Sequence, residues 1–490
     1  MIWDEQADFV VVGSGAAGAT AAADLARAGA DVLVIEEGGW YRREDFRPDL
    51  FSALARLWRD FGGQVATGRS AFPVAQGCCV GGSTVVNGAA MNRLPRAVWE
   101  DWAADPGLRD GLPWEALEEA AGSLERELQV RPNLAGVLPD LPMTRALERL
   151  GWPHRAMARS APGCRHSNRC LQGCPSGGKW SMEASLIPTA LAHGARLRPD
   201  RRAERILREG GRAAGVELVL REGTRRSARR SRARIRARRG VLLAAGAVHS
   251  PLLLRRSGLR SPHIGRHFQC HVGTAVVAEF PRPAAEVCGP SLGYEVFPEP
   301  DLKCNSLPPT PPEIALANVP VVGNELVALL RRFERVSVWN NSLRCGREGR
   351  VGGWLGLPRI RLTPGREELE RVRSAVAHLA RLLLEAGATT VYPGLHGAPR
   401  RLTDAGQVDA IRRAPLDPRG YTLNVSHLFG TCRMASRPED GVVDPGFAAH
   451  ELPGLWVIDA SVFPSNLGTN PQLAVMTLAR HAARGLLSCS

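Results

Sequence analysis

Three cysteines close together in the chain are the residues whose type and spacing most directly suggest chemistry. Cys164, Cys170 and Cys174 follow the pattern C-x5-C-x3-C, with a proline directly after the third. Thiolates at such a spacing can bind a metal ion or an iron–sulfur cluster. No fourth cysteine follows nearby, so His166 would have to complete a zinc site. The alternative is three reduced or disulfide-paired cysteines that hold a loop, and both interpretations stay open here.

A glycine-rich motif near the start of the chain suggests nucleotide binding. Residues 13–18 read GSGAAG and directly follow the apolar run Phe9–Val12. Helix-forming residues 19–28 come next, and a second apolar run, Val32–Ile35, ends at Glu36. This order predicts a strand, a helix and a second, parallel strand that together bind a dinucleotide.

Each residue of the motif has a distinct expected task. Gly13 makes the tight turn, Gly15 lets the backbone approach a pyrophosphate, and Gly18 lets the helix pack on the strand. The helix that opens at Ala16 offers unpaired N–H groups to the phosphates. Glu36 can accept hydrogen bonds from the ribose hydroxyls. The motif alone does not distinguish FAD from NAD.

The length and composition limit the kinds of fold that can position these residues. The chain has 490 residues, of which 44% are hydrophobic and 23% charged. These values fit two domains or one composite globular fold, and exclude a disordered, collagen-like or coiled-coil protein. No stretch of 18 apolar residues and no secretory signal pattern is present, so we expect no transmembrane segment and a cytoplasmic protein.

The basic charge is weak evidence for a nucleic-acid partner. The net charge is +14, but only two of the 63 basic residues are lysine, Lys179 and Lys303. A codon bias toward arginine would produce this excess across a whole proteome. The densest basic run, residues 220–239, contains no aromatic residue, which single-strand binding would need. We expect an exposed hairpin there, or alternatively a docking surface for an acidic electron-acceptor protein, and no nucleic-acid binding.

Four further segments establish a family resemblance. They are residues 77–95 (GCCVGGSTVVNGAAMNRLP), 246–259 (GAVHSPLLLRRSGL), 426–434 (SHLFGTCRM) and 454–475 (GLWVIDASVFPSNLGTNPQLAV). Together with the first motif, and in this order, they resemble the glucose–methanol–choline (GMC) oxidoreductase family of FAD enzymes. The matches cover nearly the whole chain. The cysteine segment is similar to those of bacterial FAD-dependent sugar dehydrogenases and of long-chain alcohol oxidases.

The resemblance implies an α/β fold with two discontinuous domains. A Rossmann-like FAD-binding domain would comprise residues 1–95, 155–265 and 425–490. An α+β substrate domain would comprise residues 96–154 and 266–424.

Two segments of the second half carry their own structural signals. Arg366 to Ala386 has a helical pattern that ends at Gly387, and the proline-rich segment 308–320 is expected to be a loop.

The resemblance also implies the cofactor and its contacts. Some relatives attach FAD covalently to a histidine just before the asparagine of the second motif. Val86 occupies that position here, so the expected FAD is non-covalent. The residues expected to contact it are Gly13, Gly15, Ala16, Gly18, Glu36, Gly81, Gly82, Ser83, Thr84, Asn87, Ala245, Gly246, Asp459, Ala460, Asn470 and Pro471.

A histidine and an asparagine are the implied catalytic residues. In the family, the position of His427 faces the flavin N5 and the substrate carbinol, and Asn470 stands at the position of its partner. A neutral imidazole can accept the hydroxyl proton, while the amide orients the substrate oxygen and the flavin takes the hydride. The remaining histidines are interpreted as core or surface residues; those considered are His166, His249, His263, His267, His271 and His378.

The expected function is FAD-dependent oxidation of a CH–OH group of a small-molecule alcohol. Electrons would then pass to oxygen, to a small acceptor, or through a 3Fe-4S cluster on the three cysteines to a cytochrome, as the sugar dehydrogenases do. A flavin-dependent lyase on the same fold is the alternative function.

Overall fold

A computed structural model describes residues 2–220, 232–309, 312–354 and 357–488. The central part of the basic run, residues 221–231, lies outside these ranges, so the expected hairpin and docking surface remain predictions.

The described part of the chain contains many short strands and helices. The strands are β1 Glu5–Val12, β2 Val32–Ile35, β3 Val65–Thr67, β4 Ala71–Pro73, β5 Arg131–Pro132, β6 His154–Ala156, β7 Ala158–Arg159, β8 Arg196–Arg198, β9 Arg201–Glu209, β10 Arg212–Leu220, β11 Arg232–Leu243, β12 Gln269–Cys270, β13 Gly273–Glu279, β14 Tyr294–Glu299, β15 Leu302–Leu307, β16 Val336–Leu343, β17 Arg350–Trp354, β18 Leu357–Arg361, β19 Thr390–Tyr392, β20 Leu423–Asn424, β21 Leu428–Phe429 and β22 Leu455–Val457. The helices are α1 Ala16–Arg27, α2 Leu50–Arg56, α3 Arg96–Trp102, α4 Pro106–Gly111, α5 Trp114–Glu127, α6 Pro142–Leu150, α7 Leu186–Ala192, α8 Gly246–Arg256, α9 Ala284–Cys288, α10 Pro312–Leu316, α11 Gly323–Arg331, α12 Arg366–Glu385, α13 Asp409–Arg412 and α14 Gln472–Ser488.

The first sheet builds the expected nucleotide-binding fold. Its order is β8-β2-β1-β11-β10-β9, and β22 also pairs with β11. The strands β8, β2, β1, β11 and β22 run parallel. Their buried apolar runs are covered by helices such as α1 and α14, as a parallel sheet requires. The predicted strand–helix–strand unit is therefore confirmed, and the fold is of the α/β class.

The carboxyl ends of the parallel strands meet at one edge of the first sheet. Gly13 follows β1, Glu36 follows β2, Ala244 follows β11, and Asp459 follows β22 by two residues. Ligands of open α/β sheets bind at this edge. The sheet thus brings together residues from the start, middle and end of the chain.

A second, largely antiparallel sheet carries the other half of the site. Its order is β19-β13-β16-β15-β14-β6, and β20 pairs with β13. The long helix α12 packs on β13 and β16 and buries an apolar face against them. A smaller sheet, β17-β18-β3-β4, joins residues from both halves of the chain.

Helix α5 lies in the expected substrate domain but packs on the core of the first sheet. Helix α5 packs against α14, and its buried leucines belong to the same core as the first sheet. The domain boundaries themselves remain a prediction.

Two local expectations have different outcomes. The predicted helix of the second half is α12, which is followed by Gly387 in a left-handed conformation with φ of +93°. The loop expected at residues 308–320 is wrong in part, because α10 forms one turn within it. Pro312 starts that helix, a position where proline's missing N–H has no cost.

None of the helices in the described part of the chain is long and apolar enough to cross a membrane.

Candidate active site

The turn after β1 forms an open cradle for a pyrophosphate. A side chain at Gly13 (φ of +102°) would come within 2.3 Å of the Ala244 carbonyl oxygen, and one at Gly18 within 1.9 Å of the Gly13 oxygen. By contrast, no atom lies within 4 Å of where a side chain of Gly15 would start. Helix α1 begins at Ala16, so its free N–H groups face this open space. The cradle therefore fits a phosphate-bearing cofactor.

Glu36 joins the cradle to a second glycine-rich loop, which contains Gly81 and Gly82. One carboxylate oxygen accepts from the N–H and hydroxyl of Ser14, at 3.0 and 2.7 Å, and the other from the N–H of Gly38 at 2.9 Å. The Ser14 hydroxyl in turn accepts from the N–H of Gly81 at 3.0 Å. A carboxylate has about four acceptor positions, which leaves one for a ribose hydroxyl. Burial raises the pKa of Glu36.

The second glycine-rich loop is shaped to approach the cradle closely. Gly81 and Gly82 have φ of +94° and +55°, a region that favours glycine. A side chain at Gly82 would start 3.0 Å from the α-carbon of Gly15. The hydroxyls of Ser83 and Thr84 bond to backbone groups and hold this turn in place.

Asp459 ties the end of the chain to helix α8. One of its carboxylate oxygens accepts from the N–H of Gly246 at 2.8 Å and from the hydroxyl of Ser250 at 2.5 Å. The other oxygen accepts from the N–H of Ser461 at 2.8 Å. Ala245 and Ala460 adjoin these contacts. The carboxylate thereby fixes the edge of the sheet at which the cofactor is expected.

Asn87 connects the second glycine-rich loop to helix α14. Its amide nitrogen donates to the side-chain oxygen of Gln472 at 2.6 Å, and its oxygen accepts from the N–H of Ala89 at 2.9 Å. Gln472 follows Asn470 and Pro471 directly. The residues expected beside the flavin ring therefore share one hydrogen-bonded frame.

The two expected catalytic residues lie side by side. The amide nitrogen of Asn470 is 3.2 Å from Nε2 of His427. His427 precedes β21 of one short sheet, and Asn470 precedes α14, so distant segments bring the pair together. Burial and the nearby ammonium of Lys303 lower the pKa of His427 to about 3. The imidazole is therefore neutral and able to accept a proton.

A buried lysine that the sequence analysis did not assign fixes the orientation of Asn470. The ammonium of Lys303 donates to the amide oxygen of Asn470, to Glu295 at 2.7 Å and to the amide oxygen of Asn92 at 3.2 Å. Only 2% of the Lys303 surface is exposed. Since the ammonium holds the oxygen of Asn470, the NH₂ group of that amide must face His427. Lys303 therefore orients the group expected to bind the substrate oxygen.

His271, interpreted from the sequence as a core or surface residue, contacts His427. Its Nδ1 lies 2.9 Å from Nδ1 of His427, and the N–H of Gly468 contacts its Nε2 at 2.9 Å. Burial, then His427 and Lys303, lower the pKa of His271 well below its usual value. His271 thus supports the far side of the His427 ring.

The three cysteines line one small cavity together with two cations. The guanidinium of Arg159 donates to the sulfurs of Cys164 and Cys170, at 3.7 and 3.5 Å. The buried ammonium of Lys179 donates to the carbonyl oxygen of Cys170 at 2.9 Å. The cysteine segment is therefore organised by cations that contact its sulfurs and backbone.

This arrangement does not support the expected iron–sulfur or zinc site. All three cysteines and His166 are described, and no group of three or more Cys, His, Asp or Glu side chains in the described residues is placed to hold a metal ion. Every cysteine in the described ranges is also free rather than disulfide-bonded.

The cysteine segment instead braces the second glycine-rich loop. Lys179 donates to the carbonyl oxygens of Val85 and Asn87, at 2.5 and 2.9 Å, while it holds Cys170 on its other side. Three carbonyl acceptors satisfy the three N–H bonds of one buried ammonium. The segment thus holds the residues expected to face the flavin.

Comparisons with known proteins are consistent with this geometry. The N- and C-terminal models of the GMC oxidoreductase family match residues 7–273 and 355–479. An uncharacterised GMC-type oxidoreductase of Mycobacterium tuberculosis is 35% identical, over 97% of this chain and 75% of its own length. A long-chain-alcohol oxidase of Arabidopsis thaliana is 27% identical, over 97% of this chain and 66% of its own. The solved structure of an Aspergillus oryzae formate oxidase variant, studied for FAD modification, aligns with a TM-score of 0.74 at 17% identity, covering 100% and 99% of the two chains.

Proposed function

The chain belongs to the GMC oxidoreductase family, and from this premise we propose that it is an FAD-dependent oxidoreductase acting on the CH–OH group of an alcohol. The observation that carries the proposal is the contact between His427 and Asn470, with the amide orientation set by Lys303. The alcohol-oxidase name of one relative supports an alcohol as the small-molecule substrate.

The protein's own residues account for the proton and the substrate orientation. The NH₂ group of Asn470 donates to the substrate oxygen, and the imidazole of His427 accepts the hydroxyl proton. Lys303 keeps the amide in the donating orientation and carries a positive charge close to the oxygen as the proton leaves it. FAD, when bound, supplies the two-electron acceptor for the hydride, and electrons then pass to oxygen or to an external acceptor.

A panel of alcohols scored by flavin absorbance tests the proposal. Under anaerobic conditions, at least one polyol, sugar, sterol-like or long-chain alcohol should bleach the oxidised flavin band. Restoring oxygen, or adding an artificial acceptor, would then show which acceptor reoxidises it. If no alcohol bleaches the flavin, the oxidoreductase proposal fails and the lyase alternative is favoured.

We expect FAD to be released when the protein is denatured. Val86 stands where a covalent attachment site would lie, and its buried aliphatic side chain cannot form that bond. Acid precipitation followed by absorbance of the supernatant measures the released flavin. A yellow precipitate that keeps its flavin through washing would contradict the prediction.

The rate of flavin reduction should be nearly independent of pH between 5 and 8. The pKa of His427 is lowered to about 3, so the base form persists throughout this range. A histidine with an ordinary pKa near 6.5 would instead lose about thirtyfold of its base form by pH 5. Anaerobic rapid mixing at saturating alcohol measures this rate, with circular dichroism to verify folding at each pH. A fall in the rate of flavin reduction at low pH with an apparent pKa near 6.5 would contradict the lowered pKa of His427.

A further inference from the structure

Helix α8 begins at the edge of the first sheet where the cofactor is expected. A large groove lies at the opposite end of this helix. The helix begins at Gly246 beside Asp459, and its last turn, about 16 Å away, forms one wall of the groove. The groove has a volume of about 720 Å³. We call it the arginine groove, because six arginines line it: Arg255, Arg256, Arg266, Arg350, Arg359 and Arg361.

The arginine bias of the composition does not explain this groove. Elsewhere on the surface, many arginines pair with carboxylates, as Arg196 does with Glu5 and Asp31. No described residue that lines the groove is Asp or Glu, and none of its six arginines forms an ion pair with a carboxylate in the described ranges. Two acids, Glu204 and Glu37, act on Arg256, and they are already paired with Arg202 and Arg59 respectively. The positive charge of the groove is therefore uncompensated.

The strand pairing places like charges directly opposite each other. Arg350 of β17 is the cross-strand partner of Arg361 of β18, an arrangement that destabilises a sheet. Arg359 lies two residues before Arg361 and so on the same face. Its own cross-strand partner is Gly352, where an added side chain would meet no atom within 4 Å. The open space beside this cluster is one that an anion can enter.

The floor of the groove is apolar. Leu252, Ile264 and Val351 line the groove and are buried, and Leu357, which is 64% exposed, also lines it. A site for a bare anion would need no such floor, whereas small-molecule sites combine apolar walls with a few charged groups. Its volume is also typical of a site for one small molecule.

We propose that the arginine groove binds an anionic amphiphile, a single molecule with a phosphate head and an apolar chain. The guanidiniums bind the phosphate through charged, bidentate hydrogen bonds, and the chain lies along the apolar floor. Binding of the phosphate also removes the repulsion between Arg350 and Arg361. The groove is separate from the cofactor edge, so this site does not depend on the proposed oxidation.

Binding of dodecyl phosphate to the full chain, below its micelle concentration, tests the proposal by calorimetry. We expect one molecule per chain, and binding weaker by about tenfold or more for Arg359→Gln/Arg361→Gln. The matched control is Arg331→Gln/Arg400→Gln, which removes the same charge from exposed positions outside the groove and should change affinity less than about twofold. Arg266→Gln, on another wall, provides an independent groove variant.

Several results would overturn the proposal. Equal loss of affinity in groove and control variants would show that only net charge matters. Dodecanol binding as tightly as dodecyl phosphate would remove the role of the arginines, and inorganic phosphate binding as tightly would remove the role of the floor. Binding that appears only with anionic vesicles or an acidic protein, and not with monomeric dodecyl phosphate, would assign the groove to another partner. Melting temperatures show that each variant is folded.

Discussion

Replacement of His427 by alanine is expected to slow flavin reduction by the alcohol by about 10²- to 10⁴-fold, the usual contribution of a general base. The substitution removes the nitrogen that lies 3.2 Å from the Asn470 amide, and with it the proton acceptor. The glycine-rich cradle and Asp459 lie in other segments, so FAD should remain bound. Anaerobic rapid mixing gives the rate, and the flavin spectrum gives the occupancy.

A matched control variant shows whether the loss of rate is specific to His427 or follows from replacing any histidine. His193 is exposed and bonds to a carbonyl of its own helix, so His193→Ala should leave the rate within about twofold. Near-normal reduction in His427→Ala with FAD still bound would remove His427 from the mechanism.

Replacement of Lys303 by methionine is expected to reduce both stability and rate. Glu295 would lose its ammonium partner in a buried position, and breaking such a pair costs about 3–5 kcal/mol in the free energy of unfolding. Arg155 and Asn92 still contact Glu295, so the lower end of that range is expected. Asn470 would also lose the group that fixes its amide, and we expect at least about tenfold slower flavin reduction. Denaturant unfolding and rapid mixing measure the two quantities.

A double variant distinguishes the two roles of Lys303. Lys303→Met/Glu295→Gln removes the unpaired carboxylate, so much of the lost stability should return while the rate stays low. Recovery of the rate together with the stability would show that Lys303 acts on folding alone. Loss of the lysine should also raise the pKa of His427, since the ammonium is one cause of its lowering, so an acid limb should move to higher pH.

The sequence was most informative where a chemical task is confined to consecutive residues. The motif at residues 13–18 predicted both the turn after β1 and the open space at Gly15, because a tight turn and a close approach each require glycine there. The family resemblance predicted the pairing of His427 with Asn470, and the structure places the two side chains in contact. Their catalytic roles remain a prediction.

Contacts between residues of two different sheets could not be predicted from the spacing of residues along the sequence. Lys303 lies on β15 of the second sheet and reaches Asn470 beside the first, so no local pattern links them. One signal was available: in a chain that uses arginine almost throughout, both lysines are buried at the site. A compact ammonium can donate to three surrounding acceptors in a way that a planar guanidinium cannot.

The cysteine segment shows what spacing alone leaves out. Their spacing is compatible with a metal site, but spacing does not reveal which other side chains enter the same cavity. Arg159, from a separate strand, contacts two of the sulfurs, and Lys179 holds the backbone between them and the second glycine-rich loop.

The order of strands in the first sheet has a consequence for how the protein is made. Strand β1 is synthesised first, yet its neighbour β11 ends at Leu243 and β22, which pairs with β11, ends at Val457. On the ribosome, the nucleotide fold therefore cannot close until residue 457 has emerged. Contacts this distant in sequence slow folding and leave strand edges exposed meanwhile. The side of β11 that pairs with β22 is therefore the part of this sheet that stays unpaired longest as the chain grows.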